Sequence, residues 1–528
     1  VVAARALSHV TIEEIAMTTK RLHRPMTILV AVSAVLSASA SAQQPGRPGA
    51  PAPRARAAQT AARISLDDVA QAMGGRDRIL GIRTLVLEGR GDNYNLGQNL
   101  TPDASLPRFE VTEYRRSYDF PQRRWRQEQV RVARFTTPNT APQRQQIALD
   151  GDVAFNVLPN GTAQRVGAVA TAERVNELFY HPIGLLQQSL DGSARVVPIT
   201  TPHGRLFRIN VGGNEVDLFV DPATRLPVMT LKYVNHPMLG DVLIETEYDD
   251  WRDVDGVKLP MHVVQRLDGR WPLSDIRLTS ARVNADVGDL AAPADVRSAQ
   301  PPTPTVSITV DSVARGVWHL TGQSHHSVAI EMRDHLLLVE TPQNDARSLA
   351  VIARARELRP DKPLRAVINT HHHFDHSGGV RAAISEGLPI ITHAGNVAFY
   401  RDVARRRFQI AEDALSRRQL EPRIEGVATR RVLSDGTRTV ELHHIRGNPH
   451  AATLLMVYLP AERLLIQADT YNPPAANVAT PPVPVFAPNL VANIDRLGLQ
   501  VDRVVPIHGA IFPMSTLRAA AQSATGQR

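Results

Sequence analysis

The chain has 528 residues, 43% hydrophobic, 21% charged and 5% aromatic, which excludes a fibre or a wholly disordered polymer and leaves room for two to four domains. There is no cysteine, so disulfides, thiol nucleophiles and cysteine-ligated zinc or iron-sulfur sites are excluded, and any metal must be held by His, Asp or Glu. The net charge of +8 falls to +3 from Arg63 onward, and lysine occurs only at Lys20, Lys232, Lys258 and Lys362, so the basic excess reflects Arg-rich composition and argues against a nucleic-acid partner.

Met26 to Leu36 (MTILVAVSAVL) is a short apolar run preceded by Lys20, Arg21 and Arg24 and followed by small residues, with Ala40 and Ala42 in a small-x-small pattern. It reads as a secretory signal peptide, too short for the roughly 20 residues of a spanning helix. Residues 1–42 are therefore expected to be an upstream extension plus signal peptide, with Met17 or Met26 as the start, which places the mature chain in the periplasm with no stable membrane anchor. Residues 43–62 are rich in Pro, Ala, Arg and Gly and predict a disordered leader.

Ser65 with Asp68 forms a capping-box pattern that predicts a short helix stopped at Gly74-Gly75. From Thr84 to about Val287 the pattern turns to strands, at Thr84 to Glu88, Val216 to Val220, Pro227 to Val234, Val242 to Trp251 and Met261 to Leu267, with turns at Asp150-Gly151, Asp221-Pro222 and Asp255-Gly256. Residues 63–290 thus predict a mainly antiparallel β domain, and the proline-rich stretch 291–305 a linker. Residues 306–528 alternate strand and helix: strands at Val328 to Met332, Leu336 to Glu340, Leu364 to Asn369, Leu454 to Leu459, Leu464 to Ala468 and Arg503 to Pro506, helices at Asp345 to Leu358 and Asn489 to Leu499. This is an α/β domain.

The sharpest feature is Thr370-His371-His372-His373-Phe374-Asp375-His376-Ser377-Gly378-Gly379, directly after a buried strand. In an extended segment His371 and His373 point the same way, while Asp375 and His376 reach a second point, a spacing that suits two adjacent metals. Further ligand-type residues stand at strand ends: His450 in Arg446-Gly447-Asn448-Pro449-His450, Asp469 after Leu464 to Ala468, and His508 after Arg503 to Pro506.

The order HxHxDH, then His, then a strand-end Asp, then a late His-Gly, resembles the metallo-β-lactamase-fold hydrolase superfamily over about Val306 to Met514. The resemblance implies an αββα sandwich in which His371, His373 and His450 bind one metal, Asp375, His376 and His508 the other, and Asp469 bridges them. Two divalent ions follow, zinc first, with iron or manganese as alternatives. Such a pair lowers the pKa of a bridging water and holds it opposite a carbonyl, phosphoryl or sulfuryl centre, with Asp375 as the catalytic group that orients it and passes a proton. The expected activity is an exported metallo-hydrolase acting on an ester, thioester, lactone, amide, or phosphate or sulfate ester. Asp469 stands where true β-lactamases have Cys or Ser, which weakens a β-lactamase reading. The rivals are a single-iron persulfide dioxygenase and a periplasmic lipid-binding carrier with a structural metal.

The stretch 401–431 holds nine Arg and five acidic residues and predicts helices that could cover the site and favour an anionic substrate, with a solvated helix face as the alternative. His393, Tyr471 and Asn448 are candidate pocket residues; the pairs His325-His326 and His443-His444 fall outside the ligand pattern and read as strand or loop residues. The N-terminal domain, with its EYDDWRDVDGVKLPMHVVQ segment, is similar to the half-barrel domains of periplasmic lipoprotein carriers. That implies an acyl-containing ligand, or else a packing or dimerising module.

Overall fold

The computed structural model describes residues 64–526 except 202–203, 304 and 475–482. The signal-peptide and leader readings fall on residues 1–62, outside the described residues. Among the described residues no helix is long and apolar enough to cross a membrane.

The first helix, Leu66–Ala72, starts where the sequence places it, because Ser65 and Asp68 each hold the other's backbone N–H. Thirteen antiparallel strands follow in one sheet. Six run as a meander from Thr84–Tyr94 to Ala163–Arg165, and seven more from Arg195–Thr201 to Trp271–Val283. The two meanders are joined by pairing of the first strand with the last, Leu85 opposite Val283 and Asn93 opposite Ser274. The sixth and seventh strands consequently lie at opposite edges, so the connection between them has to cross the sheet. It does so through two helices, Ala168–Glu177 and Pro182–Leu190. His181 caps the second helix and Pro182 sits at its first position, where a missing N–H costs nothing. A cavity of about 410 Å³ lies between the sheet and this crossing, with Leu87, Leu96, Ile244, Leu273 and Ile276 on the sheet side and Tyr180 on the other.

One carboxylate in this sheet is out of place energetically. Glu245 in the strand Gly240–Val254 is 1% exposed, and its Oε2 has no hydrogen-bond partner. Burial, then the neighbouring Glu247 and Asp268, raise its pKa to about 7. The folded state therefore favours the protonated form. Its stabilising contribution is complete below the ordinary glutamate range and is lost as pH rises through about 7. Glu245→Gln is expected to raise stability at pH 8 by about 1–3 kcal/mol and to leave it unchanged at pH 4. Thermal melts of both proteins across that range check this, and an equal shift at both pH values contradicts it.

After the last strand, Ala294–Ser298 forms a short helix inside the proline-rich stretch. Val296 packs on Ala148, Val153 and Phe155 of the sheet, and Arg297 pairs with Asp150. The C-terminal region then builds two facing sheets. One has seven strands, antiparallel from Thr309–Ala314 to Leu336–Val339 and parallel onward through Leu364–Ile368, Ile390–His393 and Ile424–Val427. The other has six, centred on Leu455–Leu459 and Leu464–Gln467, which are buried at every position as expected of interior strands. Val339 and Ile368 of the first sheet share a core with Leu442, Val457 and Ile466 of the second. Helices cover the outer faces: Asp345–Leu358 and Val380–Ser385 on one side, Ala487–Leu497 and Met514–Gly526 on the other. This is the αββα arrangement.

The N-terminal sheet shares an apolar core with this sandwich, since Leu106, Leu239, Val242 and Trp271 cluster with Tyr400, Val403 and Leu415. Part of the Arg-rich stretch 401–431 lies at this junction. Arg406 pairs with Asp268 and approaches the Trp271 ring, the Gln409 and Ile410 amides bind Asp241, and Arg431 pairs with Glu425. Arg418 and Arg430 pair with Glu386 and Glu441, while Arg401, Arg405 and Arg407 are exposed.

Candidate metal centre

The site forms where strand ends of the two sheets meet. Leu364–Ile368 runs into the motif, whose Phe374–Ser377 is a single helical turn, and the chain re-enters a helix at Val380. His371, His373 and His376 are buried to 1% exposure or less, whereas Asp375, His450 and His508 remain partly open. The cluster therefore has a sealed floor and one open side.

The structure brings all seven expected residues together in two ligand groups. His371, His373, His450 and Asp469 offer ligand atoms within 4.8 Å of one another, as do Asp375, His376 and His508 with a fourth residue, His325. Asp469 stands between them: its Oδ2 is 2.9 Å from both His450 Nε2 and His376 Nε2 and 3.4 Å from His371 Nε2, and its Oδ1 is 2.9 Å from His508 Nε2. Burial alone would raise its pKa, but the His376 and His450 charges, with the His371 ring close beside them, hold it well below the usual carboxylate range. Burial, with His376 beside it, pushes His371 down to about 3, and burial with His371 lowers His373 strongly. Both imidazoles are thus neutral at physiological pH and keep a lone pair for a cation.

A metal fits this donor set. His371 Nε2 and His373 Nδ1 are buried without a hydrogen-bond partner, a costly state for a polar atom unless an ion takes it up. The opposite ring nitrogens are already committed, as ligand histidines require. His371 Nδ1 is 3.0 Å from Thr370 Oγ1, His373 donates from Nε2 to the Asn99 carbonyl at 3.0 Å, and His508 donates from Nδ1 to the Ser324 carbonyl at 3.0 Å. His376 Nδ1 faces Glu340 Oε2 at 3.5 Å.

Three features were not found from the sequence. His325 belongs to the second ligand group, contrary to the expectation that its pair lies outside the pattern: its Nε2 is 3.1 Å from Asp375 Oδ2, and its ring is 4.0 Å from that of His508. His326 does stay outside, packed edge-on against the buried His319. Glu340, fully buried at φ +71°, accepts from the Thr370 amide at 2.7 Å and so fixes the start of the motif. An acid closing the apolar run Leu336–Val339 was the available signal. The third is Gln98, whose amide reaches Asp375 from the N-terminal sheet at 2.8 Å.

The suggested pocket residues have other tasks. Asn448 accepts from the His450 and Ala451 amides and shapes that loop. Tyr471 packs edge-on against Phe512, and His393 against His444 while capping Gly395.

Comparison with known proteins agrees with this geometry. Residues 320–500 match the family model of the metallo-beta-lactamase superfamily. The chain is 28% identical over 214 residues to the linear primary-alkylsulfatase of Pseudomonas sp. (strain ATCC 19151), covering 34% of this chain and 40% of that protein. It is 27% identical over 205 residues to the 2,4-dinitroanisole O-demethylase subunit alpha of Nocardioides sp. (strain JS1661), covering 38% and 58%. The chain thus spans about half the length of these curated relatives. Among solved structures, a metallo-beta-lactamase from Pontibacter korlensis superposes with a TM-score of 0.33 at 18% identity, over 42% of this chain and 100% of that one. One from Hirschia baltica gives 0.31 at 20%, over 41% and 97%. The strand-end ligands between two facing sheets, His508 excepted, thus lie in the region 320–500 that matches the metallo-beta-lactamase superfamily.

Proposed function

We propose that the chain is an exported, metal-dependent hydrolase that holds two divalent ions, zinc foremost, and cleaves an ester-type bond of a small molecule. The observation that carries this reading is Asp469, whose two oxygens face nitrogen ligands of both groups at 2.9 Å. His371, His373 and His450 would hold one ion and His376, His508, Asp375 and His325 the other, with Asp469 shared. The ions supply Lewis acidity and lower the pKa of water. The protein supplies orientation and proton handling. Despite burial, Asp375 is held well below the usual carboxylate range by His325 and His376, so it is ionised at neutral pH. Being the most open acid of the cluster, it is placed to take a proton from water and return it to a leaving group. Substrate enters from the side where Asp375, His450 and His508 are exposed. Export rests on the run Met26 to Leu36 with its basic and small-residue flanks.

Sulfate esters come first in a substrate screen because of the alkylsulfatase relative, followed by phosphate esters, carboxylic esters, thioesters, lactones and amides. A complete second ligand group disfavours the single-iron oxidative reading. The test is metal content of untagged protein purified without added metal. About two zinc ions per chain are expected, with hydrolysis abolished by chelation and restored by zinc. About one iron with oxygen consumption would favour the dioxygenase, and no bound metal would end the catalytic reading.

A further inference from the structure

The loop between the first two strands of the N-terminal sheet leaves its own domain and sits on the metal motif. It is a closed unit: Asn95 N donates to Pro107 O at 2.9 Å, and the buried Asn99 amide donates to Pro102 O and Ala104 O. Four contacts in succession then bind it to the sandwich. Phe374 N donates to Gly97 O at 3.2 Å, Gln98 Nε2 to Asp375 Oδ1 at 2.8 Å, His373 Nε2 to Asn99 O at 3.0 Å, and Ala452 N to Leu100 O at 2.7 Å. Two of these fall on ligand side chains, one from each group.

We propose that Gln98 and Asn99 are positioning residues of the metal centre, the Gln98 amide fixing Asp375 in one ligand group and the Asn99 carbonyl fixing His373 in the other. The inference rests on the two-metal reading of the site. Its chemistry is a choice of atoms. A carboxylate has two oxygens: with Oδ1 taken by Gln98, Oδ2, which faces His325 and His376, is the one left for an ion. An imidazole has two nitrogens. Donation from Nε2 to a carbonyl fixes the proton there, so the lone pair is on Nδ1, the atom of His373 that is buried and unpartnered. The N-terminal domain thereby completes the centre instead of standing beside it. A single-domain sandwich lacks both partners.

Gly97 is the residue that lets the loop approach. Its φ is +76°, and a Cβ there would lie 2.3–2.6 Å from the Phe374 ring, which stacks in parallel on Phe399. No larger residue fits without lifting the loop off the motif.

The experiment compares full-length wild type, Gln98→Ala, Gln98→Glu and Gly97→Ala by competitive zinc titration against a chelator and by the visible absorption of the cobalt-substituted protein. Melting of the metal-free proteins controls for folding. In Gln98→Ala the second ion should weaken about 10–100-fold while the first changes little, with an altered cobalt spectrum and an unchanged metal-free melt. Gln98→Glu should weaken the second ion further, because it sets carboxylate against carboxylate. Gly97→Ala should weaken both. Wild-type affinity at both sites and an unchanged cobalt spectrum in Gln98→Ala and Gly97→Ala would overturn the proposal and leave the loop a packing element. A wild type that takes up fewer than two ions would overturn the reading of the site before any variant is compared, so the two failures are distinct.

Discussion

Replacing Asp469 by Asn is expected to empty the centre of at least one ion and abolish activity while leaving the fold intact. Four histidine nitrogens lie within 2.9–3.4 Å of its carboxylate, whose two oxygens face ligand nitrogens of both groups. Asn keeps the shape and one oxygen but loses the charge that offsets two cations in a buried cluster. The loss of metal affinity should exceed the roughly 10–100-fold that follows when only an outer partner is removed. The backbone is indifferent to the change. Asp469 sits at φ +59°, a left-handed conformation that Asn adopts as readily as Asp, so the strain stored at the strand end is the same in both proteins. Metal analysis and far-ultraviolet circular dichroism separate the outcomes. Two ions retained with full activity would remove Asp469 from the centre.

What the sequence disclosed and what it hid divide along the range of the forces involved. The helix at Ser65 and the hairpin turns at Asp150-Gly151, Asp221-Pro222 and Asp255-Gly256 were legible because each is decided by neighbours within a few residues. The motif His371 to His376 was legible for the same reason, Asp469 and His508 because each follows an apolar strand, and His450 because it stands in the Gly-containing loop before the apolar strand Leu455–Leu459. Strands such as Arg108–Asp119 and Arg124–Ala133 were harder. Their buried and open positions do not alternate, since Arg116 is buried over the Trp125 ring at 4.1 Å and paired with Glu177, and a charged residue on an inner face breaks the pattern that strand recognition relies on. The helices of residues 168–190 were read as part of the strand region, though His181-Pro182 was a usable start signal. Gln98 and His325 were beyond reach. Gln98 is 277 positions from its partner and His325 is 50, and nothing local marks either as a ligand or its support.

Gly378→Ala is expected to damage the centre severely, although it adds one methyl group at a position with ordinary helical dihedrals, φ −60° and ψ −20°. The reason is space. A Cβ on Gly378 would lie 2.1 Å from the Gln343 carbonyl oxygen and 2.8 Å from that of Phe374. Neither can yield cheaply. The Gln343 amide donates to Asp375 O at 2.7 Å, Gly379 donates to Thr341 O at 3.0 Å, and Glu340 holds the Thr370 amide, so residues 340–343 clamp both ends of the motif. The methyl group must push this clamp outward, and the Asp375 and His376 side chains move with it. Overpacking of this kind costs about 1–3 kcal/mol or more, and the second ion should be lost with it. Gly387→Ala separates the site effect from general damage. That glycine is at φ +73° with nothing within 4 Å of a Cβ, so alanine there bears only the left-handed backbone cost of about 1–2 kcal/mol and should keep both ions. Equal metal content in the two variants would show that the Gly378 contact does not shape the centre.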